Sequence, residues 1–200
     1  MGMCLGLAAL SDADIDRVLR DPPLVWRVVS PDDPEPYERE RAARKPSFWA
    51  RLLGRGPKGT PVPESELSGT GEPSTDLDKA WHGIHYLLTG TAWEGTAPLN
   101  LLVSGGTEVG DVEVGYGPAR VLRAQDVRAA FHALEAIRDE ELRARFDPED
   151  MVRKEIYPSI WTRKPEEDDV LEYLMGYVGI LRAFLAQAVE KELGLVLHLT

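Results

Sequence analysis

The sequence predicts an α+β fold, a single domain with helices packed on a small mixed sheet formed by N-terminal, central and C-terminal strands. Three observations lead there. Apolar residues recur at helical spacing through the second half of the chain, most clearly over residues 170–191. The apolar runs near the two ends, Met1 to Leu10 and Leu195 to Leu199, read as buried strands. A chain of 200 residues, 43% apolar and 28% charged, is also long enough to bury one core without covalent staples.

The elements follow in order. The opening apolar run, residues 1–10, has no Lys or Arg ahead of it and is followed at once by Ser11-Asp12-Ala13-Asp14, so it reads as a first strand rather than a secretion signal. Gly6 stands where a myristoylation motif needs Ser or Thr. Ser11 with Asp14 three residues on forms a capping pair for a helix to Arg20, with Ile15, Val18 and Leu19 as its stripe and Pro22-Pro23 as its stop. Leu24 to Val29 reads as a second strand.

Residues 31–75 differ in character. They hold eight of the 15 prolines and few large apolar residues, and read as a Pro-rich, basic, partly ordered insert. Helix-like pieces interrupt it at Tyr37 to Arg44 and Ser47 to Leu53. Seven basic residues stand against one acid between Arg39 and Lys58, which leaves −17 on the remainder of a chain whose net charge is −11. Phe48, Trp49, Leu52 and Leu53 share a face of the second piece; that face either packs on the domain or docks on a membrane surface or an acidic partner.

Asp76 caps a helix over Leu77 to Thr89, with Gly90 just past its end. Leu99 to Val103 is apolar and of ambiguous type, and the glycine-rich stretch from Ser104 to Pro118 leads into a strand at Ala119 to Leu122. Helices follow from Gln125, Asp139 and Pro148, the last with Asp147 as cap and proline at its first position. The final helix starts in Glu166-Glu167-Asp168-Asp169 and ends at Lys191. Gly176 and Gly179 inside it suggest close backbone packing or a kink.

The acidity excludes a general nucleic-acid binder, which needs cations to displace counterions. No apolar run reaches the length of a membrane span. Cys4 is the only cysteine, which excludes an internal disulfide, a zinc ribbon and a CxxC redox pair, and it reads as an inert thiol. The expected compartment is the cytoplasm.

One constellation points to chemistry. On the Leu77 to Thr89 helix, Leu77, Ala80, Trp81, Ile84, Leu87 and Leu88 fall on one arc. Asp78, His82, His85 and Thr89 form a polar stripe beside it. Two histidines sharing a face with a carboxylate suit general acid–base work, one of them oriented by Asp78. A histidine at a core boundary equally well donates one hydrogen bond to a carbonyl, and Trp81 serves either as core or as a stacking platform. No second ligand cluster accompanies the pair, so no metal is expected. The glycine-rich stretch lacks the lysine of a phosphate-binding loop and the third glycine of a dinucleotide fingerprint, and no cofactor is expected. Its turn, Gly115-Tyr116-Gly117-Pro118-Ala119-Arg120, presents a phenol and a guanidinium that either face a ligand or simply close a turn. The candidate catalytic residues are His82, His85 and Asp78; the candidate ligand-binding residues are Trp81, His82, His85, Tyr116 and Arg120.

Met1-Gly2-Met3, the run Leu77-Asp78-Lys79-Ala80-Trp81-His82-Gly83-Ile84-His85-Tyr86-Leu87-Leu88-Thr89-Gly90, the turn at residues 115–120, Arg145-Phe146-Asp147-Pro148, Ile156-Tyr157-Pro158 and Trp161 together resemble the YfbM-like family of small bacterial proteins. The resemblance spans nearly the whole chain and is weakest in the proline-rich section. It implies an α/β fold and a cytoplasmic, bacterial setting, and it carries no reaction with it. Two functions are therefore expected. The first is a binding protein, of inhibitor or immunity type, that meets a basic protein partner through its acidic surface. The second is a pocket enzyme or sensor for a small anionic ligand, with Asp78, His82 and His85 on one wall and Tyr116 and Arg120 opposite.

Overall fold

The computed structural model describes residues 2–44, 67–68, 71–163 and 169–200. The expected piece at Ser47 to Leu53, with Phe48 and Trp49, lies outside the described residues.

Among the described residues five strands, β1 (Leu5–Leu10), β2 (Ser74–Asp76), β3 (Thr107–Glu113), β4 (Pro118–Leu122) and β5 (Gly194–Leu199), form one sheet in the order β2-β1-β5-β4-β3. N-terminal, central and C-terminal segments all contribute, and the α+β class holds. Every pairing is antiparallel, where a mixed sheet was expected. β1 and β5 pair along their full length, Leu5 with Leu199 through Leu10 with Gly194. With helices over both faces of the sheet these two strands are largely buried on each, which is why their sequences are apolar apart from His198 near the end of β5.

Alternation along the strands sends Leu5, Leu7, Leu195 and Leu197 to one core and Ala8, Leu10 and Val196 to another. The first core is closed by α4 (Trp81–Thr89), α5 (Ala124–Glu135), α6 (Asp139–Ala144), α7 (Pro148–Arg153) and α8 (Val170–Glu190). The second is closed by α1 (Asp12–Arg20), a 3₁₀ turn at Pro22–Val25 and α2 (Trp26–Val29), with Tyr37 of α3 (Glu35–Ala43). The sheet is thus the middle of three layers.

Local signals explain most ends. Ser11 accepts the Asp14 N–H at 3.1 Å and donates to its carboxylate at 2.9 Å, so the capping pair forms as expected. Asp147 accepts the Asp150 N–H at the start of α7, and Gly90 closes α4 in the left-handed region with its N–H on Tyr86 O at 2.7 Å.

The structure departs from expectation at four places. Leu24 to Val29 is not a strand. Pro22 and Pro23 fix φ and remove donors, so the segment turns helically and presents Leu24, Val25 and Val28 to the second core. The helix expected from Leu77 begins at Trp81, because Asp76 belongs to β2 and residues 78–80 form a 3₁₀ turn with Asp78 at φ 45°. The glycine-rich stretch contains β3, a strand whose register shifts between Glu108 and Glu113. Gly176 and Gly179 have open space where a Cβ would stand, so they permit no close packing. The close approach of α4 to α8 is instead at Gly83, where a Cβ would lie 2.6 Å from the Trp161 ring and 2.7 Å from Leu174.

Candidate functional site

The site grows from the first turn of α4. Helical spacing from Trp81 onward places Leu87, Ile84 and Leu88 in the core and brings His82 and His85 under the segment 91–95. Both histidines are 0% exposed. The Tyr157 N–H donates to His82 Nδ1 at 3.0 Å, so the ring proton resides on Nε2, which donates to Ala92 O at 2.7 Å. His85 Nε2 donates to Glu94 O at 2.9 Å, while its Nδ1 is buried without a partner. Burial lowers the proton affinity of both rings, and it carries His85 to about 4. Both are neutral at pH 7.

The covering segment is pinned from several sides. In addition to the two histidine bonds, the Thr91 hydroxyl donates to Glu94 O, and Thr89 Oγ1 accepts the Thr91 N–H. The His82 ring lies between two indoles: Trp81 is stacked on it at 4.8 Å between centroids, and Trp93 lies tilted at 4.5 Å. Trp93 is held in this way at 56% exposure.

Arg120 stands on β4, opposite Glu108 of β3 and Leu197 of β5. Its guanidinium donates to the carbonyls of Leu101 at 3.3 Å, Leu102 at 2.7 Å and Gly105. It therefore fastens the irregular segment 99–105 to the sheet rather than pairing with a carboxylate. Burial lowers its pKa to about 10, which still leaves it charged at pH 7. The neighbouring turn is built on Gly115, where a Cβ would fall 2.2 Å from Leu199 O. This approach lets the Tyr116 N–H donate to that same oxygen at 2.8 Å and leaves the Tyr116 ring 54% exposed.

A cleft of about 220 Å³ opens between these parts, lined by Trp81, Trp93, Glu108, Tyr116 and Arg120 among others. Of the residues singled out in the sequence, Trp81, Tyr116 and Arg120 share it. His82 and His85 do not line it; they lie behind it, His82 against both indoles and His85 near enough to Arg120 to feel its charge. Asp78 is elsewhere. Its carboxylate accepts from the Cys4 thiol at 3.4 Å and from the Tyr173 hydroxyl at 3.0 Å. The expected stripe is broken because the α-helix starts three residues after Asp78. Burial and the Asp78 carboxylate raise the Cys4 pKa, in keeping with an inert thiol. Sequence reasoning missed Trp93, which sits in a loop with no periodicity, and Glu108 and His198, which also line the cleft. Among the described residues no three His, Cys, Asp or Glu side chains are grouped to hold a metal ion.

Comparison with known proteins follows the same outline. Residues 1–198 match the family described as a domain of unknown function, DUF1877. The chain belongs to this family. Its fold resembles that of YfbM from Escherichia coli, a protein of unknown function, with a TM-score of 0.62 at 18% sequence identity, over 98% of this chain and 99% of that one. At that identity the likeness speaks for the fold alone. No curated protein matches. Among the described residues of this DUF1877 chain, no helix is long and apolar enough to cross a membrane.

Proposed function

We propose that this DUF1877 protein is a binding protein, of the inhibitor or immunity type, that engages a basic protein partner in the cytoplasm. The observation that carries the reading is the pair Trp93 and Tyr116. Among the described residues they are the two most exposed large hydrophobic side chains, and both line one cleft. Exposed aromatic rings held in place by their surroundings are what protein interfaces use as anchors. The net charge of −11 supplies long-range attraction for a basic partner. A cytoplasmic setting fits a single unpaired cysteine in the sequence.

The second reading, a pocket enzyme or small-ligand sensor, draws on the shared placement of Trp81, Tyr116 and Arg120. It is the weaker of the two. Three of the four ring nitrogens of His82 and His85 are engaged by backbone groups, and Asp78 is turned toward Cys4 and Tyr173. None of these groups offers a proton to the cleft.

The test is capture from a lysate of the source organism on immobilised protein at low and high salt. A basic protein retained at low salt, released at high salt and lost with Trp93→Ala or Tyr116→Ala is the expected result. Retention of nothing, or retention indifferent to both substitutions, overturns the reading.

A further inference from the structure

We infer that the cleft accepts the guanidinium head of an arginine side chain on the protein partner. This rests on the binding reading above and adds the chemistry of the group that enters.

Size comes first. About 220 Å³ is below the roughly 300–1,000 Å³ of pockets that enclose a whole small molecule, and it suits a side-chain head whose backbone stays outside. The walls come next. Trp93 and Tyr116, both more than half exposed, line the space and offer their rings to it, while the buried Trp81, stacked on His82, closes it from behind. A planar guanidinium is attracted to such ring faces and stacks on them, which a carboxylate does not. Trp93 is positioned by the protein itself, since His82 backs its ring and the bonds from His82 and His85 hold residues 92 and 94. The site is therefore formed in advance, and entry of the head group orders little.

Hydrogen-bonding capacity decides which kind of head group fits. Two ionised side chains line the cleft, Arg120 and Glu108. Three N–H groups of Arg120 are directed at the carbonyls of Leu101, Leu102 and Gly105, so its donors are largely taken. Glu108 is exposed and forms no ion pair with a described residue. Glu108 faces Arg120 across the strand pair and lies close enough for its charge to raise the Arg120 pKa against the effect of burial, yet its exposed carboxylate keeps acceptor capacity for two parallel N–H bonds from an incoming guanidinium. An arginine head has both features, a flat cationic face for the rings and an N–H edge for Glu108.

The experiment is an NMR titration of the ¹⁵N-labelled full chain, following the Trp93 indole N–H, assigned by its disappearance in Trp93→Phe. The probes are Nα-acetyl-arginine amide, its uncharged isostere Nα-acetyl-citrulline amide, and acetate. The arginine probe should shift the Trp93 signal along a saturable curve. The citrulline probe should bind about tenfold more weakly, and Glu108→Gln should weaken the arginine probe by about tenfold. Acetate should leave the signal in place. Equal affinity for citrulline, saturable binding of acetate, or a signal that no probe moves each overturns the inference. The two proposals fail separately. A partner still captured in a Trp93-dependent manner by a protein that ignores the arginine probe sinks the guanidinium and keeps the binding role. An arginine probe that binds while no partner is captured does the reverse.

Discussion

The His82 imidazole and the Trp93 indole lie 4.5 Å apart, and the histidine is fully buried while the tryptophan is more than half exposed. One residue thus carries the rigidity that the other displays. His82 is anchored at both nitrogens, to Ala92 O and by the Tyr157 N–H, so the ring cannot turn without breaking a buried bond.

His82→Ala removes both bonds and leaves a cavity behind Trp93. The expected loss is about 2–4 kcal/mol of stability, measured by urea unfolding. Trp93 should also become mobile, which would appear as a lowered heteronuclear NOE of its indole N–H. An unchanged NOE would mean that the loop holds itself.

Acidification should destabilise the fold through His85. Its pKa falls from an ordinary 6.5 to about 4 in the folded protein, so between those values the unfolded chain binds more protons. Stability is therefore full above about pH 6.5, falls as the pH drops, and reaches its full loss near pH 4, about 3 kcal/mol from this residue. Burial acts in the same direction on His82 and His198. Urea unfolding at several pH values should give a shallower decline between pH 6.5 and 4 for His85→Gln than for the unaltered protein. Parallel declines would remove His85 from the account.

Arg120→Met should release segment 99–105, since three carbonyls lose their donor. Hydrogen exchange should accelerate in that segment, with a stability loss of about 2–4 kcal/mol. Arg120→Lys should rescue little, because one ammonium lacks the fork that spans several carbonyls. Full rescue by lysine would show that charge alone suffices.

Gly115→Ala places a methyl 2.2 Å from Leu199 O, so the turn must shift. Stability should fall by about 1–3 kcal/mol. The nuclear Overhauser contacts of the Tyr116 N–H with residue 199 should weaken. Retention of those contacts with unchanged stability would contradict the close approach.

How much of this was legible in the sequence depended on whether the signal was local. The Ser11 cap, the Asp147-Pro148 start, the Gly90 stop and the apolar arc of Trp81, Ile84, Leu87 and Leu88 are set by residues within a turn or two of one another, and the structure has them. β3 was hidden because a glycine-rich, bulged edge strand buries only Val109 and Val112 and shows no alternation. Asp78 was misplaced because extending the helical count backward ignores that Asp76 is held in the sheet by Gly6. Tyr116 and Arg120 were expected opposite Asp78, His82 and His85, whereas the structure sets them beside Trp81 in one cleft with the histidines behind it. Trp93 completes the group only through tertiary contact with His82, and no spacing along the chain encodes that.

The pairing of β1 with β5 has a consequence for how the protein is made. Leu5 leaves the ribosome long before Leu199, yet each lies in the middle of the sheet against the other. Until β5 arrives, β1 carries two greasy faces and an open ladder of backbone groups, and the helices translated in between have no finished surface to settle on. Completion of this fold therefore waits for β5 to emerge, and until then the first strand is open to mispairing.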